Sequence, residues 1–404
     1  MRLLCHIYAL LLYVNTAVLV LGCMGVVWKR KQTRWDLNFT NYEDVLHHRY
    51  DDDYTHHSPA STPLDKFVQW QFCPTNPKYN SFTDDRGKLI LRAPNIFQKF
   101  DWVIWDTFED INIPIGQSPR MVLIRPDFFH PKFHGYKRHR QVFSSIPLLL
   151  KSNNSDDDAT ERRILVISGD DQHLSTFATR DQIEYLQARF SDIYISSKNV
   201  YSHVFKTIPL GLFNPYLLAA GYRHVEDAYK LAQTITPMQK IQSEQKDKLA
   251  LIAWGAKHPG LDMRITSRQT LRTFVRDSNG DFLRTQFIAK QYWRFLPHYK
   301  YAFCPTGNGI QSPKIFESLL VRVIPITVRE PAFEDLLSYG FPLLIVDSWY
   351  NITRLLLEKL YIEKYSKVDW NRVEYLMSSE GVFRLISTGE YNASAATHHA
   401  ASNE

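Results

Sequence analysis

The chain is 404 residues long, 44% hydrophobic and 14% aromatic, which is enough to bury a large core and excludes wholesale disorder. Its 48 basic and 42 acidic residues leave a formal charge of +6, spread without the long Lys/Arg block of nucleic-acid arms, so nucleic acid is not an expected partner. Of four cysteines, Cys5 and Cys23 fall in an apolar N-terminal segment, and Cys73 and Cys304 are too few for a zinc site; they read as buried free thiols or as one luminal disulfide.

Residues 3–28 are almost continuously apolar, interrupted by His6 and Asn15, and long enough to cross a bilayer with some tilt. They read as a signal anchor, which makes the membrane a partner through this helix. A cleaved signal peptide is the second reading, with Gly22 and Gly25 as small residues near a cleavage point. Lys29, Arg30, Lys31 and Arg34 follow the segment, and positive-inside logic alone would hold the rest of the chain in the cytoplasm. Against that stand N-glycosylation sequons at Asn38, Asn153, Asn351 and Asn392, which matter only in the secretory lumen.

Residues 29–62 are charged, lack apolar periodicity and read as a solvated stem. Their His/Asp cluster, from His47 to His57, has no fixed ligand spacing and is expected to bind no metal. Folded sequence begins at residue 63. Apolar runs at 102–105, 121–124 and 164–167 predict buried strands of a first α/β domain over 63–224. The third run stops at Gly169 and leaves Asp170, Asp171 and His173 in the loop beyond, where α/β proteins keep their chemistry. A helix over 179–190 and a strand over 193–196 follow. Residues 207–215, with Pro209, Gly211 and Pro215, then end regular structure, as the entry to a domain crossover would.

Polar, helix-compatible sequence over 225–248 reads as a linker. A second α/β domain is predicted over 249–382, with strands near 249–254, 285–288, 299–304, 323–328 and 343–346. Helices are expected over 264–275, 313–320 and 370–377. The tail over 383–404, rich in Ser, Ala and His, reads as disordered.

The most informative stretch is strand, glycine loop, helix, strand across residues 299–328. Gly307 and Gly309 allow close backbone approach, Ser312 is placed to cap the helix, and Pro313 suits its first position. Thr306, Asn308 and the helix N-terminus then form a seat for a diphosphate. Lys314 puts a cation in the first helical turn, against the helix dipole, which points to a bound anion. Glu317, three residues on, could hold a ribose diol. On spacing alone, an ordinary corner with a solvated Lys314–Glu317 pair explains the pattern equally well.

Phe303-Cys-Pro-Thr-Gly-Asn-Gly-Ile-Gln-Ser-Pro-Lys-Ile-Phe-Glu317, closing on Val323-Ile-Pro-Ile326, resembles the C-terminal signature of exostosin-like glycosyltransferases. Leu251-Ile-Ala-Trp-Gly255 followed by Arg264 is similar to an upstream part of that family, and Ile208-Pro-Leu-Gly211 to its crossover. Lys314 stands where the family usually has Arg, and Arg322 where Gly is common. The resemblance implies a GT-B architecture, two Rossmann-like domains facing a cleft, with a UDP-linked sugar nucleotide on the C-terminal domain and a glycan or glycoprotein acceptor on the other. It implies inverting transfer with no cofactor or metal required, on the luminal side of the Golgi membrane, in a single-pass type II protein. Oligomeric assembly is left open. The implied donor-site residues are Gly255, Arg264, Thr306, Gly307, Asn308, Gly309, Ser312, Lys314 and Glu317, with Asp170, Asp171 or His173 as base. Arg264 reads equally as a surface helix residue, and the three base candidates as a capping loop. A metal-dependent GT-A enzyme built on Asp51–Asp53 or Asp156–Asp158, and a non-catalytic, membrane-tethered glycan-binding scaffold, are the alternatives.

Overall fold

The computed structural model describes residues 63–64, 66–68, 81–83, 89–91, 96, 99–104, 120–124, 162–168, 180–212, 217, 220–234, 246–253, 262–278, 280–282, 284–285, 287–307 and 309–389. The anchor, the stem and the Asp51–Asp53 and Asp156–Asp158 runs lie outside them. Among the described residues no helix is long and apolar enough to cross a membrane.

A short antiparallel pair, β1 (Ser81–Thr83) and β2 (Leu89–Leu91), precedes the first of two parallel sheets. That sheet has the order β3 (Trp102–Ile104), β4 (Met121–Ile124), β5 (Ile164–Ile167), β6 (Asp192–Ile195), β7 (Phe205–Thr207), so each strand lies beside its neighbours in sequence. The expected helix is observed as α1 (Arg180–Gln187), between β5 and β6. β5, Ile-Leu-Val-Ile, is buried at every position, as a strand covered on both faces must be.

The second sheet is built from β8 (Lys248–Ala253), β9 (Arg284–Thr285), β10 (Tyr299–Phe303), β11 (Ile324–Val328) and β12 (Leu344–Val346), in the order β12-β11-β10-β8-β9 with all pairs parallel. The chain moves outward from β8 through α3 (Asp262–Asp277) to β9, returns through α4 (Ala289–Phe295) to lay β10 on the other side of β8, and then continues through α5 (Pro313–Leu320) and α6 (Pro331–Tyr339). Strand order therefore reverses between β8 and β10. Crevices outside the carboxyl ends of strands at such a reversal are where open α/β sheets bind ligands. The first sheet has no reversal among its five strands.

The two halves exchange helices. The first ten residues of the stretch expected as a linker, 225–234, belong to α2 (Tyr222–Thr234), which buries Val225, Ala228, Tyr229 and Ala232 in the core of the second sheet. These residues repeat at helical spacing, and that amphipathic stripe overrides the polar average of the segment. Beyond α7 (Arg354–Glu363) and α8 (Trp370–Met377), the chain forms α9 (Ser379–Thr388) and buries Val382, Leu385 and Ile386 against the first sheet. Residues 383–388, expected as disordered tail, are thus part of a core helix. The Ser, Ala and His content that marks the tail belongs mostly to residues beyond this helix, whereas 383–388 carry the apolar Leu385 and Ile386. Gly381 permits close approach at the start of α9: an added Cβ would lie 2.0 Å from the Tyr375 carbonyl oxygen. The Ser378 hydroxyl accepts from the Gly381 amide at 3.0 Å and caps the helix.

Candidate functional site

The loop leaving β10 lies at the reversal, at the carboxyl end of a central strand. Cys304 opens it, its amide bonded to the Ile326 carbonyl at 2.9 Å; its thiol is free, buried and pushed up to about 12, chiefly by burial. Cys73 lies outside the described residues. Thr306 is buried, and Gly307 donates to the Gly309 carbonyl at 3.0 Å, so the loop closes partly on itself and uses one amide that the sequence left for a ligand. A Cβ at Gly307 would meet nothing within 4 Å, which means open space rather than protein lies beside it. Asn308 falls outside the described residues.

Ser312 occupies the N-cap position of α5 in extended conformation, yet its side chain makes no capping bond. Pro313 removes one amide donor by its chemistry, and the Ile315 amide closes on the Ser312 carbonyl at 2.9 Å. Among the described residues no side chain caps the first turn of α5, which leaves the positive end of its dipole without a protein acceptor there.

Lys314 projects from that turn. Its ammonium sits 4.1 Å from the centroid of the Tyr292 ring, a cation–π contact. Burial lowers its pKa, as does the positive charge of Arg268, while Glu317 and Cys304 act in the opposite sense. Glu317 is only 4% exposed, and burial raises its pKa against the stabilising Lys314 charge and a hydrogen bond from the Tyr292 hydroxyl. Among the described residues no direct ion pair joins Lys314 to Glu317. The expectation of a solvated surface pair therefore does not hold: the carboxylate is inside, and Tyr292 of α4 interacts with both charges.

Tyr292 and Arg268 were not legible as site residues. A tyrosine on a short apolar helix reads as core filling. Arg268 does carry a signal, because it lies one turn beyond Arg264 and one before Arg272, at i, i+4 spacing on one face of α3. Arg264 lies in the first turn of α3, and Gly255 belongs to the undescribed loop after β8. Asp170, Asp171 and His173 also lie outside the described residues; the last described residue before them, Ser168, is buried and donates its amide to Ile124 at 3.1 Å.

Gln311 ties this loop to the other half. Fully buried, it donates through Nε2 to the carbonyls of Ser196 and Ile208, the latter at 2.8 Å, and accepts from the Leu210 amide at 3.0 Å. Ser196 follows β6 and Ile208 follows β7, so the carboxyl ends of first-sheet strands meet the site loop. Alongside, Lys198 pairs with Asp335 of α6 at 2.8 Å, and the same carboxylate accepts from the Thr207 amide and hydroxyl, each at 2.8 Å.

A second buried cation, Lys246, lies at the amino ends of β8 and β10. It donates to the carbonyls of Pro297, Tyr299 and Val321 at 2.8, 3.0 and 3.3 Å, and burial, with Arg322, pulls it down to about 7. Three acceptors make it a clamp for the foot of the sheet, remote from the ends where ligands bind. Arg322, at the α5–β11 turn, has φ of 60°, the left-handed region that favours glycine. Its guanidinium donates to Gln233 of α2 and lies 3.9 Å from Glu374 of α8. No protein-family model matches the chain, and no curated protein matches it.

Proposed function

We propose that the chain is an exostosin-like glycosyltransferase of GT-B type that moves a sugar from a nucleotide donor, UDP-linked, to an acceptor hydroxyl with inversion. The observation that carries this reading is the position of the 304–312 loop and the uncapped, Lys314-bearing start of α5 at the reversal of strand order in the second sheet. A diphosphate there meets helix N–H groups, the Lys314 ammonium and the basic face of α3. Its departure from the anomeric carbon is favoured because the developing negative charge is met by groups already oriented toward it.

Glu317, three residues after Lys314 on α5, is assigned to the ribose. Gly255, Arg264, Thr306, Gly307, Asn308, Gly309 and Ser312 complete the donor side. The acceptor enters from the first domain, where Asp170, with Asp171 and His173 beside it, removes the proton from the attacking hydroxyl. Lys in place of Arg at 314 gives a point charge without bidentate geometry, so donor affinity is weaker than an arginine would provide. The reaction requires no metal in this reading, and the enzyme is a single-pass type II protein of the Golgi membrane with its catalytic part in the lumen.

The test is a panel of nucleotide sugars against the protein lacking its first 60 residues, with and without chelator. A uridine diphosphate sugar should raise the melting temperature and be turned over without added metal. Lys314→Ala should lose the nucleotide-dependent shift while keeping its own cooperative melt. If no nucleotide shifts the wild-type melt, the reading fails.

A further inference from the structure

The chain leaves β12 through Ser348, makes a single 3-10 turn over Trp349–Asn351, and enters α7 at Arg354. Trp349 and Ile352 are buried and pin this turn to the core, which turns Tyr350, Asn351 and Thr353 outward. The Asn351 Oδ1 accepts from the Ser348 amide at 2.8 Å. Because the two terminal atoms of a carboxamide point to opposite sides, Nδ2 is directed away from the turn, and among the described residues no hydrogen bond takes it. Thr353 caps α7, accepting from the Leu356 amide at 3.2 Å, and is exposed. Asn351-Ile-Thr353 is a glycosylation sequon whose acceptor nitrogen and hydroxyl both face water.

The surroundings are apolar. Tyr350 is 56% exposed, and Leu355 and Ile362, 77% and 69% exposed, stand seven residues apart on one face of α7, a stripe about 10 Å long. A stripe of this kind invites association unless something covers it. A glycan is bulky and solubilising, and at Asn351 it would start beside Tyr350, four residues before Leu355.

We propose that Asn351 carries an N-linked glycan whose first sugars lie over Tyr350 and Leu355. The proposal rests on the luminal reading above. In the transfer, Nδ2 attacks the anomeric carbon of a lipid-diphosphate-linked oligosaccharide. The C–N bond forms as the C–O bond to the diphosphate breaks, the lipid diphosphate leaves with the electron pair, and one amide proton is lost to a base of the transferring enzyme.

The experiment is expression of the full chain in a cell with a secretory pathway, followed by peptide mass spectrometry before and after enzymatic removal of N-glycans. The peptide containing Asn351 should be found glycosylated, and on deglycosylation its asparagine should appear as aspartate. Asn351→Asp, which keeps the oxygen that accepts from Ser348 and removes only the nitrogen, should lose one glycan step on a gel while melting as the deglycosylated wild type does. It should also self-associate at lower concentration than the glycosylated protein. An unmodified Asn351 peptide overturns the proposal. Protease digestion of intact microsomes separates the two ways this can happen: a protected chain with bare Asn351 leaves the luminal reading standing, and a digested chain removes both.

Discussion

Burial sets the chemistry of Glu317 more than sequence spacing does. Its carboxylate is buried, and its pKa is raised by that burial, against the opposing effects of Lys314 and the Tyr292 hydroxyl. A carboxyl whose folded pKa exceeds its unfolded value near 4.5 contributes stability that is complete below that value and is lost as pH rises through the folded one. Glu317→Gln keeps shape and hydrogen-bonding capacity but cannot ionise. Its stability relative to wild type should therefore improve as pH rises above about 4.5, measured by chemical denaturation at each pH. A variant that tracks the wild type in parallel across that window would mean that Glu317 titrates as an exposed carboxyl does. If Glu317 holds the ribose, the same substitution weakens donor binding, so the more stable protein near neutral pH should be the poorer binder.

The crossover between the sheets is an element held by close approach. Gly211 has φ of 72°, and a Cβ there would lie 2.2 Å from the Val68 carbonyl oxygen, while the next amide, of Leu212, donates to that same oxygen at 3.0 Å. Gly211→Ala should cost about 2–5 kcal/mol in denaturant titration, from left-handed strain and the clash together. Most strands and helices were legible, because Ile164-Leu-Val-Ile and Val323-Ile-Pro-Ile326 are short apolar runs bounded by turn residues, and the 313–320 helix opens on Ser-Pro. What could not be read was any contact made at long sequence separation. Gln311 looks like an ordinary loop polar residue, and only the folded chain shows its amide spanning to Ser196, Ile208 and Leu210. Tyr292 is silent for the same reason. Arg322 was legible as an oddity, an arginine in a glycine position, and α2 and α8 supply the Gln233 and Glu374 partners that hold its side chain.

At the scale of the molecule, the two sheets are tied together by exchanged helices as well as by Gln311 and Asp335. Residues 66–68 run beside 377–379, with the Val68 amide bonded to Met377 and the Ser379 amide to Lys66, each at 2.9 Å, so both crossings lie side by side. From there α9 covers the first sheet. The Tyr194 hydroxyl donates to the Leu385 carbonyl at 2.9 Å, and Arg162, paired with Asp192 at 2.7 Å, donates to the Ser387 carbonyl at the same distance. The last described helix, α9, thus covers the first sheet, although it follows the strands of the second. Leu385→Ala removes a fully buried side chain and should cost about 2–5 kcal/mol. Because α9 is shared, the loss should not stay local. The nine tryptophans, with Trp102 in the first sheet and Trp293 buried in the second core, report tertiary packing by fluorescence, while far-ultraviolet circular dichroism reports the helices. In wild type and Leu385→Ala alike, the two signals should change together with denaturant, the variant at lower concentration. Separate transitions in the variant would mean that the domains fold independently, and that α9 rests on the first sheet without coupling it to the second.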